Sequence, residues 1–160
     1  MIVVSNASPL INLAWIEEFE LLEQLFGKII IPNSVWNEVV LNGKGQPGSE
    51  EVKSAGWIQK KEIINNLLVQ SFLQELDRGE AETIALAIEQ NADLVLIDEK
   101  IGRETALYFG LKPLGVIGIL IQAKRTNRIK EIRLYLDLLR DRAGFYIKEN
   151  LYNQIISEQE

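Results

Sequence analysis

The stretch Leu94-Val95-Leu96-Ile97-Asp98-Glu99 places four apolar residues directly before two acids. An unbroken apolar run of that length, without polar alternation, suits a strand covered on both faces. Two further runs share its character. Ile2-Val3-Val4 opens the chain and gives way to Ser5-Asn6, and Ile29-Ile30-Ile31 stops at Pro32. Trp57-Ile58 reads as a small extra strand. The residues between follow a helical period: Leu10, Ile11, Leu13 and Ala14; then Phe19, Leu22, Leu25 and Phe26, closed by Gly27; then Val35, Trp36, Val39 and Val40. Ser8-Pro9 reads as an N-cap with proline at the first helical position. Further helices are predicted over Leu67–Leu76, Glu80–Gln90, Gly102–Phe109, Val116–Lys124, Ile129–Leu139 and Glu149–Ile156. Short buried strands alternating with helices define an α/β fold around a parallel sheet. Such sheets bind ligands beyond the carboxyl ends of their strands. The polar residues expected there are Asn6, after the first strand, and Asp98, after the third.

The composition narrows the chemistry. At 160 residues and 47% hydrophobic, the chain is long enough for one core, and a single domain over residues 1–160 is expected. It contains no histidine and no cysteine. That removes Ser-His-Asp and Cys-His nucleophile systems, Cys/His zinc sites, iron–sulfur clusters and disulfides. Acid–base and metal chemistry must come from carboxylates, amines, hydroxyls or a cofactor. With 17 basic and 23 acidic residues, the chain is a poor candidate for a whole-surface binder of nucleic acid or membrane. The first residues lack the positive segment of a signal peptide and no apolar run has spanning length, so a cytoplasmic protein without a membrane partner is expected.

Each acid has an ordinary reading beside the functional one. Asp98 could cap the helix after it, although its strand-end position favours a metal or phosphate site. Asp77 and Glu80 have the spacing of a capping box, yet Glu80 shares a helical face with Ile84, Ala87 and Ile88 and should point inward. An inward carboxylate needs a partner, and a cation is one. Glu38 sits at the border of the Val35–Val39 face and by itself reads as solvated. Gly43-Lys44-Gly45-Gln46-Pro47-Gly48 matches a dinucleotide-binding fingerprint by letter, but no strand feeds it and Pro47 interrupts it, so it reads as a loop. From Lys124 to Arg142, seven basic residues face three acidic ones. This is a candidate polyanion arm led by Lys124, Arg125 and Arg128, or an ordinary charged helix surface.

Taken in order, the blocks resemble a known family. Val3-Val4-Ser5-Asn6-Ala7-Ser8-Pro9-Leu10-Ile11 resembles the first strand and helix of a PIN domain, and Ile31-Pro32-Asn33-Ser34-Val35-Trp36-Asn37-Glu38-Val39 its second block. Gly79 to Ala87 and Leu96-Ile97-Asp98-Glu99 resemble the third and fourth. Gly118 to Lys124 with Ala143-Gly144-Phe145 fits a prokaryotic, nucleic-acid-binding branch. The resemblance implies a three-layer α/β/α fold with a short central parallel sheet, and carboxylates binding Mg²⁺ or Mn²⁺. It also implies ribonuclease activity on RNA, toxin-like in many small prokaryotic members, with an antitoxin protein as partner; a homodimer is a further arrangement to look for. On this pattern Glu38, Glu80 and Asp98 fall on the acidic, catalytic positions, with Glu82 the alternative to Glu80. Asn6 completes the metal set, and Ser8 and Glu99 support it. The departure is Asn6, where the pattern most often has Asp. An amide oxygen can coordinate a cation but brings no charge.

Two function classes therefore compete: a metal-dependent endoribonuclease, and a catalytically weakened module that binds RNA or a protein. The absence of histidine and thiol agrees with a hard, oxygen-liganded cation. A phosphatase-type domain using Asp98 ranks third, because Asp98-Glu99-Lys100 is a poor match to its requirements.

Overall fold

The computed structural model describes residues 1–160. Five short strands, β1 (Val3–Ser5), β2 (Ile29–Pro32), β3 (Ile58–Lys61), β4 (Leu94–Leu96) and β5 (Pro113–Leu114), form one parallel sheet in the order β3-β2-β1-β4-β5. The chain winds outward from β1 to β3, then crosses back to lay β4 on the other side of β1. That reversal opens a crevice at the carboxyl ends of β1 and β4, the switch point where doubly wound sheets bind ligands. In register, Val4 lies beside Val95 and Ser5 beside Leu96.

The helices form the outer layers. Those packed on one face are α1 (Ala7–Trp15), α2 (Leu21–Phe26), α8 (Val116–Arg125), α9 (Ile132–Asp141) and α10 (Glu149–Gln159), which share a core with Val3 and Leu96. On the opposite face, α5 (Asn66–Phe72), α6 (Arg78–Glu89) and α7 (Lys100–Tyr108) share a core with Val4, Val95 and Ile97. Adjacent strand residues thus feed opposite cores, as the period of two requires. Leu10, Leu13, Ile84 and Leu86 are fully buried, each such side chain worth roughly 1.5–3 kcal/mol of transfer free energy. The arrangement is the three-layer α/β/α architecture expected from the sequence.

The differences from expectation have local causes. The small strand at Trp57-Ile58 is the full-length β3, whose Gln59, Lys60 and Lys61 are polar because it is an edge strand. Asp98 consequently follows the fourth strand, not the third. β5 has only two residues, one of them proline, too few to show any periodicity. Ser8 is not an N-cap: α1 begins at Ala7, with Asn6 in the capping position and Pro9 inside the first turn, where its missing N–H costs nothing. Between β2 and β3, α3 (Asn33–Trp36) runs into a π-helical turn, Asn37–Asn42, and α4 (Ser49–Ser54) follows the Gly43–Gly48 loop. That loop joins two helices, which confirms that its glycines are not a dinucleotide fingerprint. No helix is long and apolar enough to cross a membrane.

Candidate active site

Asn6 leaves β1 with φ −78° and ψ 173°, ordinary N-cap geometry, yet its side chain makes no capping hydrogen bond. Its backbone N–H donates to Leu96 O at 2.9 Å, which anchors it to β4. Two residues beyond Val4, Asn6 falls on the α6 side of the sheet. There the start of α6 comes close because residue 79 is glycine. A Cβ at Gly79 would lie 3.3 Å from Asn6 Oδ1, 3.4 Å from Glu38 Oε1 and 3.6 Å from Asp77 Oδ1. Oxygens from three chain segments therefore border the space left by one missing side chain.

Glu38 enters from the π-helical turn, a widened helix segment of the kind common at functional sites. Burial, with Asp77 as a nearby like charge, raises its pKa above the usual carboxylate range. Asp77 and Glu80 form a reciprocal capping box: Glu80 N donates to Asp77 Oδ1 at 2.8 Å, and Asp77 N donates to Glu80 Oε1 at 3.0 Å. The sequence offered capping or function for this pair, and the geometry combines both, because the second oxygen of Glu80 takes no protein donor. Burial raises the pKa of Glu80, and the Asp77 and Glu99 charges add to the rise. Asn6, Ser8, Asn12, Glu38, Asp77, Glu80 and Glu99 line a cavity of about 260 Å³. Asp77 and Asn12 are cavity residues that the sequence did not single out. Asp77 was visible only as a cap, and nothing in the local pattern marks Asn12.

Asp98 is placed differently. Three residues beyond Val95, it falls on the α1/α8 side of the sheet. Its Oδ2 accepts from the Ser8 hydroxyl at 2.7 Å and its Oδ1 from Val116 N, the first N–H of α8, at 2.8 Å. Glycine at position 115 permits that approach, since a Cβ there would lie 2.7 Å from Asp98 Oδ1. Asp98 thus caps α8 rather than the helix that follows it. Burial raises its pKa, opposed by these two hydrogen bonds and by Arg103. Ser8 links Asp98 to the cavity, and it supports this acid rather than residue 6.

The expected ligands do not close into one cage: no three acidic side chains come within reach of a single ion. Glu82 lies outside the cavity, accepting from Ser34 N at 3.2 Å and pairing with Arg78 at 3.6 Å. Between the alternatives Glu80 and Glu82, the structure brings only Glu80 to the cavity. Lys124 and Arg125 occupy the last turn of α8, whose first turn meets Asp98. A ten-residue helix spans about 15 Å, so these cations sit far from the acids. Lys124 Nζ donates to Lys130 O, and Arg128 borders a separate recess with Leu134 and Tyr135. The structure therefore separates the expected basic arm from the acidic cavity.

A family model described as PIN domain matches residues 2–160, and the chain belongs to that family. Among solved structures, it is similar to a PilT N-terminus domain protein from the hyperthermophilic archaeon Sulfolobus solfataricus. That similarity has a TM-score of 0.55 at 16% identity and covers 77% of this chain and 93% of that one. No curated protein matches the chain. The family is one of nucleases in general, and its members generally use divalent metals. The donors around Gly79, all amide or carboxylate oxygens, are of the kind that a hard cation takes.

Proposed function

We propose that the chain is a metal-dependent endoribonuclease whose reaction takes place in the cavity beside Gly79. The observation that carries this reading is the convergence of Asn6, Glu38 and Asp77 oxygens on one small space at the sheet's switch point, within a PIN domain. Asn6, Glu38 and Asp77, whose oxygens border the Gly79 space, are the residues that would hold Mg²⁺ or Mn²⁺, with Glu80 on the same cavity wall. When bound, such an ion supplies Lewis-acid polarisation of a phosphodiester and lowers the pKa of a water. The chain's own contribution is positioning. Asn6 offers a neutral oxygen from a backbone anchored to Leu96. Glu80 holds one oxygen in the capping box and leaves the other free. Glu38 brings a carboxylate whose charge burial and Asp77 disfavour without a cation, so a bound ion would offset that cost. Asp98 fixes Ser8 at the cavity wall.

Single-stranded RNA incubated with Mn²⁺ tests the reading, with Glu38→Gln and Glu80→Gln as controls. Glutamine at position 80 keeps the oxygen that accepts from Asp77 N, so the helix cap survives while the charge is lost. Cleavage is expected to fall by about 100-fold or more in both variants. Cleavage at wild-type rate by both variants, or none by wild type across RNA substrates, would overturn it. The second reading, a weakened binding module, is favoured by Asn6 alone, since the side chain that borders Gly79 carries no charge.

A further inference from the structure

Beyond Asp98, away from the acidic cavity, lies a recess of about 360 Å³ bordered by Arg103, Ile117, Phe145, Tyr146 and Lys148. We propose that this recess is a nucleotide subsite for single-stranded RNA, with Tyr146 stacking on a base and Arg103 and Lys148 meeting the adjacent phosphates. The proposal deepens the ribonuclease reading and rests on it for the kind of strand bound.

Tyr146 is 79% exposed between two anchored neighbours. Phe145 packs against the larger core and its N–H donates to Leu139 O at 2.9 Å. Ile147 is buried, and its carbonyl accepts from Arg140 Nη2 at 2.8 Å. An extended segment pinned on both sides turns the residue between them outward. The backbone that carries Tyr146 is therefore held by the fold, and its exposed ring has only two side-chain torsions to fix when a base stacks on it. Neither its hydroxyl nor its ring has a partner within the protein.

The charges beside it are the second observation. In a chain of net charge −6, Arg103 and Lys148 border the same recess and neither is engaged in an ion pair. Arg103 is held by one hydrogen bond, Nη1 donating to Asp98 O at 2.6 Å, which leaves the rest of its guanidinium available. Lys148 sits at the start of α10, where the helix dipole does not favour a cation. Two cations outside any salt bridge flanking an exposed aromatic ring is the arrangement that binds single strands through backbone charge and base stacking. Asp98 is the wall between this recess and the Ser8 side of the acidic cavity. A strand seated on Tyr146 would pass its next phosphate toward the acids.

The test is binding of a fluorescein-labelled, short single-stranded RNA, followed by fluorescence anisotropy in EDTA at low salt so that no cleavage is needed. Tyr146→Ala should weaken binding by about 5- to 100-fold, and Tyr146→Phe should bind like wild type. Lys148→Gln should reduce the salt slope by about 1, while Lys124→Gln, at the remote end of α8, leaves binding unchanged. No binding by wild type, wild-type affinity in Tyr146→Ala, or equal weakness of the Phe and Ala variants would each overturn the subsite. If this binding pattern appears but wild type never cleaves RNA with Mn²⁺, the subsite stands and the ribonuclease reading fails. If wild type cleaves RNA but Tyr146→Ala binds it with unchanged affinity, the ribonuclease reading stands and the subsite fails.

Discussion

The acidic cavity at Gly79 and the basic recess at Tyr146 lie side by side on the carboxyl edge of the same sheet, and their chemistry is opposite. The first gathers Glu38, Asp77, Glu80 and Glu99 with no basic side chain on its lining. The second sets Arg103 and Lys148 around an exposed aromatic ring, with Asp98 its only acid. The separation comes from strand parity. Val4 and Val95 are in register and both face α6, so Asn6, two residues on, also falls on the α6 side. Asp98, three residues on, falls on the other side, where Ser8 and the start of α8 hold it. One residue of difference in distance from the paired Val4 and Val95 sorts the two polar strand ends onto different faces. A net-acidic protein can in this way keep local cations next to a carboxylate site without neutralising it.

The sharpest way to break this division is Asp98→Asn. The amide keeps an oxygen for Val116 N, and its NH₂ can donate to Ser8, so the fold should persist. Loss of the charge that fixes Ser8 is expected to lower Mn²⁺-dependent cleavage by about 10- to 100-fold, the usual scale for a supporting residue. Binding of RNA in EDTA should survive, because Tyr146, Arg103 and Lys148 are untouched. Loss of that binding in a folded variant would mean that the two sides are not separable.

A smaller effect should follow from Asn6→Asp, which acts on the acidic side alone. A third carboxylate beside Glu38 and Asp77 should tighten Mn²⁺ binding by roughly tenfold in calorimetry, on the scale of changes to a metal's ligands and their supports. Without metal the same change adds like-charge repulsion and should lower the melting temperature. Equal Mn²⁺ affinity in the two proteins would place the ion away from residue 6, and would count against the Gly79 space as the metal site.

Much of this frame was legible in the amino-acid order alone. The apolar runs at Ile2–Val4, Ile29–Ile31 and Leu94–Ile97 marked the three central strands because strands covered on both faces need unbroken apolar character. β3 was half hidden, since an edge strand carries lysines, and β5 was invisible at two residues. At the site, Asn6, Glu38 and Glu80 were identified from strand ends, helical face and family pattern, and all three reach the cavity. Asp98 was identified as well, but its orientation depends on the Val4–Val95 register, which no local pattern encodes. The basic run beginning at Lys124 lies away from the acidic cavity for a related reason. Charge density along the chain says nothing of which end of α8 meets the sheet edge, and the cations at that edge are the isolated Arg103 and Lys148. Asp77 was read as a cap because its capping role and its place in the cavity use the same side chain.

The smallest expected effect concerns the energetic cost of the acidic side itself. Burial and the nearby Asp77 raise the pKa of Glu38 in the folded protein. A carboxyl group with a raised folded-state pKa stabilises the fold below the ordinary carboxylate range, and that contribution is lost as pH rises through the raised value. At neutral pH the charge therefore works against folding. Glu38→Gln should raise the melting temperature at pH 7, by less than about 3 °C, because solvent still reaches the side chain and screens its charge. The gain should vanish below the usual glutamate pKa of about 4.3, where both proteins are uncharged at this position. Mn²⁺ should reverse the order at pH 7, raising the melting temperature of wild type more than that of Glu38→Gln, since only the carboxylate gains a counter-charge. A thermal melt at the two pH values, with and without Mn²⁺, checks all three signs. A variant that melts below wild type in metal-free buffer at pH 7 would show that Glu38 is not held at an electrostatic cost, and that the acidic side is not strained in the absence of a cation.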